Sequence, residues 1–233
     1  MRFDELNWEQ IEAYLEHDDR CVLPIGSTEQ HAYLSLATDS TLAEKVAVDA
    51  AENLGIPVLP VLSYGHTPNF MAYPGTISLS TDTLTALIID ILESLVSHGF
   101  KRVLIVNGHG GNSIIIPALE EWQTKKSNIL LRFHNWWKGP LTWEEVMKVN
   151  PVALHASWME NYPWTRLKGI MQPEGVKHPV DIDLLKTLTP SKIKEMLGDG
   201  NYGGSYQQSD EEMLRIWSVA VKEVSDILES GWI

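Results

Sequence analysis

Short apolar runs rich in β-branched residues alternate along the chain with longer amphipathic stretches. Four runs read as strands: 20–25 (RCVLPI), 56–62 (IPVLPVL), 101–106 (KRVLIV) and 128–133. The third is continuously apolar, as strands covered on both faces tend to be. Pro57 and Pro60 place the second near a sheet edge, because proline donates no ladder hydrogen bond. Helical periodicity predicts helices over 6–15, 41–54, 82–98, 113–122 and 209–228. Leu42, Val46 and Ala50 share one face of the second, and Gly55 is its expected stop. Gly99 stops the third, and Ser209 with Glu212 opens the last as a capping box. The loop 63–80 is long and punctuated by Gly and Pro, and a loop of that length is usually functional. The stretch 134–180 reads as irregular and Trp-rich. No repeat is present. Strand–helix alternation predicts an α/β fold with a mostly parallel sheet covered on both faces, as one domain over 1–233.

Composition narrows the function classes. The chain has 18 Lys and Arg against 31 Asp and Glu, a formal charge of −13. That charge repels phosphate backbones and anionic membranes, so no nucleic acid and no membrane is expected as a partner. No apolar run is long enough to span a bilayer, and the acidic first twenty residues lack a secretory pattern. Cys21 is the single cysteine, so a disulfide within the chain and a Cys-based zinc site are both excluded. It sits in an apolar run and reads as a small hydrophobe. The expected location is a reducing cytoplasm.

Three polar clusters fall at or after predicted strand ends, where open α/β sheets bind ligands. The first is GSTEQHAYLSLATDS, 26–40. Glu29 and His31 are two apart, so on extended backbone they point the same way. With Asp39 they form a set that suits a divalent metal. The alternative makes Asp39 or Ser40 a helix cap and leaves Glu29 and His31 solvated. The second cluster is VNGHGGN, 106–112. Its glycines suit either half of a dinucleotide fingerprint or a bare turn that aims His109 into a cleft. In the latter reading Gly110 and Gly111 let metal or substrate approach. In a third, Asn112 caps a helix beside a surface histidine. The last cluster is HASWMEN, 155–161. His155 and Glu160 do not share a helix face, but converge if His155 precedes a helix whose first turn holds Glu160. Ser157 with Glu160 also fits a capping box.

Other signals are weaker. No G-x-S-x-G, H-E-x-x-H or complete P-loop is present. His66, in the long loop, is a candidate substrate contact. His17, His98, His134 and His178 have no evident role. Of the nine Trp, most read as core or subunit contacts, while one or two, Trp158 among them, could wall a small-substrate site.

Together the clusters resemble the creatininase family, or creatinine amidohydrolases. Members carry G-S-x-E-Q-H followed by T-D, then N-G-H-G-G-N, then H-A followed by Glu. Here these are Gly26 to His31 with Thr38 and Asp39, Asn107 to Asn112, and His155, Ala156 and Glu160, in the same order. The resemblance implies a three-layer α/β/α sandwich and a site for two divalent metal ions, zinc or manganese. Glu29 and His109 would hold one ion, His31 and Glu160 the other, with Asp39 bridging. His155 would be the acid/base beside them. The implied activity is hydrolysis of a C–N bond in a small polar cyclic amide, by a homo-oligomer, hexameric in the family. The sequence departs where many members carry a second histidine, since Ala32, Tyr33 and Leu34 stand there. It departs again at Gly111, where creatininase has a metal-binding Glu, which shifts that role to Glu160. Relatives that open an inositol-derived cyclic diketone or remove a formyl group are alternatives. So are a nucleotide-binding oxidoreductase and a non-catalytic binding protein.

Overall fold

The computed structural model describes residues 1–232; Ile233, the last residue of the predicted domain, lies outside them. Three parallel strands form the central sheet: β1 (Arg20–Ile25), β2 (Arg102–Asn107) and β3 (Leu130–Asn135), in the order β1-β2-β3. β1 and β2 are in direct register, Arg20 opposite Arg102 and Ile25 opposite Asn107. Their carboxyl ends are therefore level, and the loops that leave them start side by side.

The predicted strand at 56–62 is not a continuous strand. It touches β1 through isolated parallel bridges, Val22 to Val58 and Ile25 to Leu62. Leu59 and Leu62 donate to Val22 and Pro24, and Pro57 accepts from Val22. Pro57 and Pro60 have no N–H to donate, so the ladder is broken along the edge that their presence predicted. The predicted third and fourth strands are each displaced by one or two residues, which carries Asn107 and Asn135 onto strand ends.

Helices cover both faces. On one side lie α1 (Trp8–Leu15), α3 (Thr81–His98) and α4 (Ile116–Thr124). They close over Cys21, Leu23 and Ile25 of β1 and Val103 and Ile105 of β2. On the other lie α2 (Thr38–Ala51), α5 (Pro140–Val149) and α8 (Asp210–Ser230), over Val22, Leu104 and Val106. The alternate residues of each strand thus face separate cores, as the period of two requires. Asn7 caps α1 with Gln10 in a capping box. Left-handed Gly55 (φ 63°) and Gly99 (φ 109°) terminate the extension of α2 and the end of α3. Cys21 is fully buried, as predicted, and burial pushes its thiol pKa far up.

Within 134–180, read as irregular, α5 forms a ten-residue helix. Beyond it, α6 (Ile182–Leu185), α7 (Pro190–Leu197) and a two-stranded ribbon of β4 (Val176–Lys177) and β5 (Gly204–Ser205) make a small cluster apart from the helix and sheet layers. Its core joins Leu185, Ile193 and Leu197 to Phe70 and Tyr73 of the long loop, folding that loop toward the sheet ends. Among the described residues no helix is long and apolar enough to cross a membrane.

Candidate metal centre

The chain leaving β1 packs against the start of α2. Ser40 Oγ donates to the Ser27 carbonyl, and Ser27 Oγ donates to Asp39 Oδ2, each at 2.8 Å. Asp39 sits in the first turn of α2, which Ala37 opens without a side-chain cap. The capping alternative for Asp39 and Ser40 is therefore excluded.

The chain leaving β2 comes in beside it. A Cβ on Gly108 would collide with the Asp39 carbonyl, so only glycine lets these two loops meet. Asn107 accepts from the His109 N–H at 3.1 Å and donates to the Asn135 side chain at 2.7 Å. Asn112 is no helix cap. It is fully buried, donates to the Gly26 carbonyl and Asn107 Oδ1, and accepts from the His66 N–H. These asparagines lock the first two clusters together.

The third cluster approaches from the other side. Glu160 ends a single 3-10 turn, Trp158–Glu160, and its Oε2 accepts from the Ala156 N–H at 2.6 Å. Ser157 bonds Leu154 rather than the turn, so the reciprocal capping box does not form. Ala32 (φ 50°) and Ala156 (φ 56°) are the only non-glycine residues with positive φ among the described residues. Each directly follows a site histidine, so the strain sits where the chain must turn to present an imidazole.

The structure thus brings together Glu29, His31, Asp39, His109 and Glu160. Asp39 Oδ1 lies 2.9 Å from His31 Nε2, and Asp39 Oδ2 lies 2.9 Å from His109 Nδ1. Glu29 Oε1 is 3.3 Å from His109 Nδ1, and Glu160 Oε2 is 3.7 Å from His31 Nε2. Glu29–Asp39–His109 and His31–Asp39–Glu160 each converge closely enough to surround an ion, and so does Glu29–His31–His155.

Three observations fit this donor set to divalent cations. Glu29 is fully buried, yet its carboxylate meets only the ring nitrogen of His109 at 3.3 Å and no well-aligned donor, and His31 Nε2 faces only the Asp39 carboxylate. Unpartnered buried charge is costly unless a counter-ion answers it. His31 Nδ1 donates to the Glu29 carbonyl at 3.3 Å, and His109 Nε2 donates to the His66 carbonyl at 3.0 Å. Each backbone bond holds a proton on the far nitrogen, so the nitrogen facing the carboxylates is the one that gives up its proton when a cation binds, as in metal-binding histidines. The set also mixes imidazole with carboxylate, which suits zinc and manganese.

The electrostatics are those of an acidic pocket. Burial opposes a charge on His31, but Asp39 and Glu160 outweigh it and push the imidazole up to about 10. Burial likewise opposes charge on His109, and Glu29 and Asp39 raise it well above the usual range. Against burial, His109 holds the Glu29 carboxyl down, and His31 does the same for Asp39. Burial lifts Glu160 to about 7 despite the pull of His31. Burial and then the charge of His31 push His155 down to about 4, so this ring is neutral near pH 7.

His155 borders the pocket, with Nδ1 3.8 Å from Glu29 Oε1 and its ring stacked on Phe70 at 4.7 Å. Tyr202 lies 5.0 Å away and completes an aromatic wall. The other predicted contacts divide. Gly110 is exposed beside Trp137, whereas the Cβ position of Gly111 is filled by the His66 carbonyl and the His109 ring. His66 contributes through its backbone; its Nδ1 turns away to the Leu79 carbonyl. Trp158 does not wall the cleft. It is fully buried, and its indole N–H donates to the Val152 carbonyl. Trp136, Trp164 and Trp217 pack with Tyr162 as core, as most of the tryptophans were expected to do. Sequence reasoning missed Gln30, Phe70 and Tyr202. Gln30 stands between two predicted ligands within the G-S-x-E-Q-H segment, which was its signal, but no role was assigned to it.

The creatininase family model, described as creatinine amidohydrolase, matches residues 4–228. Among curated proteins, a creatinine amidohydrolase of Pseudomonas putida is 38% identical over 120 residues, covering 48% of this chain and 46% of that protein. A mycofactocin precursor peptide peptidase of Mycolicibacterium smegmatis is 39% identical over 104 residues, 42% of each chain. The matches span about half the length of these relatives or less. Solved structures agree over nearly the whole chain. One described as "Creatininase Mn" has a TM-score of 0.78 at 25% identity, covering 99% of this chain and 98% of that one. A zinc–zinc form of a mutant creatininase gives 0.77 with the same identity and coverage.

Proposed function

The chain belongs to the creatininase family, and from that premise we propose that it is a metal-dependent hydrolase that cleaves a C–N bond in a small polar cyclic amide. The observation behind this reading is the split of Asp39, whose two oxygens face two different imidazoles at 2.9 Å. Glu29 and His109 would hold one ion and His31 and Glu160 the other, with Asp39 serving both. Bound there, two divalent ions, Zn²⁺ or Mn²⁺, supply Lewis acidity that polarises a carbonyl and acidifies water. Neutral His155 holds a proton beside Glu29, which it would pass to the leaving nitrogen. Phe70 and Tyr202 shield the reacting atoms from bulk water. Glu160 keeps 21% of its side chain exposed and faces the open side, where substrate would arrive.

A second reading is cleavage of a peptide amide. It is supported by identity to the peptidase, 39% against 38% for the creatinine amidohydrolase. Ring opening of a cyclic diketone and removal of a formyl group remain assay targets of the same site. The wider reading is a single domain that works in the cytoplasm as a homo-oligomer, a hexamer by resemblance. Exposed Leu167, Ile170 and Met171 supply apolar surface for such contacts.

The test joins metal content to turnover. The purified protein, incubated with Zn²⁺ or Mn²⁺ and desalted, should hold close to two ions and hydrolyse members of a panel of cyclic amides, short peptides and formamides. Chelation should abolish turnover. Asp39→Ala should lose both ions, because the bridge serves each. Two ions held tightly by Asp39→Ala would overturn the bridging assignment, and full activity in the chelated protein would overturn the metal-dependent reading.

A further inference from the structure

We propose that Gln30 is a positioning residue: its carboxamide fixes His155 with the proton on Nδ1, facing the metal pocket, and so keeps that ring out of the ligand set. The catalytic part of this inference rests on the reading of His155 as the residue that moves the proton.

The orientation of the carboxamide is set by backbone groups whose polarity cannot reverse. Gln30 Oε1 accepts from the Ala32 N–H at 3.1 Å, and Gln30 Nε2 donates to the Gly200 carbonyl at 3.2 Å. The nitrogen end therefore faces His155, where Nε2 lies 2.9 Å from His155 Nε2. Gln30 Nε2 has two hydrogens. One goes to Gly200, and the other points at the imidazole. His155 Nε2 must then offer a lone pair. That excludes the doubly protonated ring and leaves the proton of the neutral ring on Nδ1. Gln30 is 5% exposed, so no solvent competes for these bonds. Phe70 stacks on the ring with planes 16° apart, and the backbone that carries it is held by the Tyr202 N–H, which donates to the His155 carbonyl at 3.0 Å.

The consequence follows from comparing the three histidines. His31 and His109 each donate to a backbone carbonyl from the nitrogen that faces away from the carboxylates. The inward nitrogen can therefore surrender its own proton to the solvent and ligate a cation with the lone pair that remains. His155 meets the opposite polarity, an N–H donor, and so presents N–H inward. A protonated nitrogen cannot coordinate a metal, although His155 forms a convergent triad with Glu29 and His31. The partner on the outward nitrogen thus sorts three neighbouring imidazoles into two ligands and one proton carrier.

The experiment is long-range ¹H–¹⁵N correlation spectroscopy of the protein labelled at histidine. Spectra are taken metal-free and with Zn²⁺ added, and the His155 signals are identified by their loss in His155→Ala. The expected spectrum has a pyrrole-type Nδ1 and a pyridine-type Nε2 for His155, unchanged by Zn²⁺. In Gln30→Glu the carboxylate accepts instead of donating, so the protonated nitrogen should switch to Nε2. Gln30→Met should give a mixture of tautomers. Both variants should keep the zinc content of the wild type and lose kcat by about 10–100-fold with KM little changed. Wild-type His155 protonated on Nε2, or a Zn²⁺-induced shift of its Nδ1 to ligand character, would overturn the proposal. So would an unchanged Nδ1–H signature in Gln30→Glu. The wild-type spectra decide the matter even if a variant fails to fold. Wild-type turnover in His155→Ala would instead overturn the proton-transfer reading, while the tautomer assignment would stand on the spectra.

Discussion

His31 and His109 are each poised between a proton and a cation. Their inward nitrogens lie 2.9 Å from Asp39, which raises their affinity for either positive charge. Metal uptake must then displace protons. At pH 7 about two to three protons should leave per protein on full loading, one from each of these two rings and a fraction from Glu160, which titrates at about 7. Calorimetric titration of Zn²⁺ in buffers of different ionisation enthalpy measures the number, and release near zero would show that the rings are already neutral. The same groups set a pH dependence in the metal-free protein. His31 titrates at about 10 when folded, against an ordinary value of 6.5. A raised folded value gives stability that is complete below 6.5 and is lost as pH climbs through 10. The Tm of chelated protein should therefore fall between pH 7 and pH 10. A flat or rising Tm over that range would contradict the ion pairing. At this scale the sequence was informative about chemistry: Glu29, His31, Asp39, His109 and Glu160 are the residue types a metal needs, in ordered motifs. It was uninformative about Gln30 and Phe70, because an amide or a phenyl ring gains its role only from what stands opposite it.

Elements were legible where local rules govern them. β1 matches its prediction residue for residue, and α3 differs by a single residue, because an apolar run and a glycine stop are local signals. The edge at 56–62 was legible as well, since proline acts through its own missing N–H. α5 was not. Its first turn is capped by Glu223 of α8, which accepts from the Leu141 and Thr142 N–H groups and from Thr142 Oγ1 at 2.7–3.2 Å. No sequence window contains a cap eighty residues away. Glu223→Ala should leave these buried donors unpaired and cost about 2–3 kcal/mol. For a chain of this size that lowers Tm by roughly 4–12 °C. Urea unfolding measures it, and a loss under about 1 kcal/mol would show that α5 does not depend on this cap. Metal content should be unaffected, since Glu223 lies on the sheet face covered by α5 and α8.

The whole molecule is a sheet with a hydrophobic core on each face and its carboxylates gathered at one end. Three acids buried near one another oppose folding unless cations join them. Loading should therefore stabilise the chain by mass action, about 2.7 kcal/mol per site at a hundredfold excess over Kd. Removing metal at pH 7 should lower Tm by roughly 5–10 °C per site. Calorimetric scans with and without chelator measure this, and an unchanged Tm would mean that the acids are satisfied without metal. At this scale the order of strands and helices was enough to imply a parallel sheet covered on both faces, because periodicity is written into each segment. The resemblance added the three-layer sandwich and the ligand roles. By itself the sequence determined which segments bury, which side chains carry charge, and that three polar clusters follow strand ends. Only the tertiary structure decided that those clusters meet, that Trp158 belongs to the core, and that His155 faces an amide donor where His31 and His109 face carbonyls. The meeting of the clusters, the His109 bond to His66 and the Gln30 contact with His155 join residues tens to more than a hundred positions apart, and they exist only once parallel register has set the strand ends level.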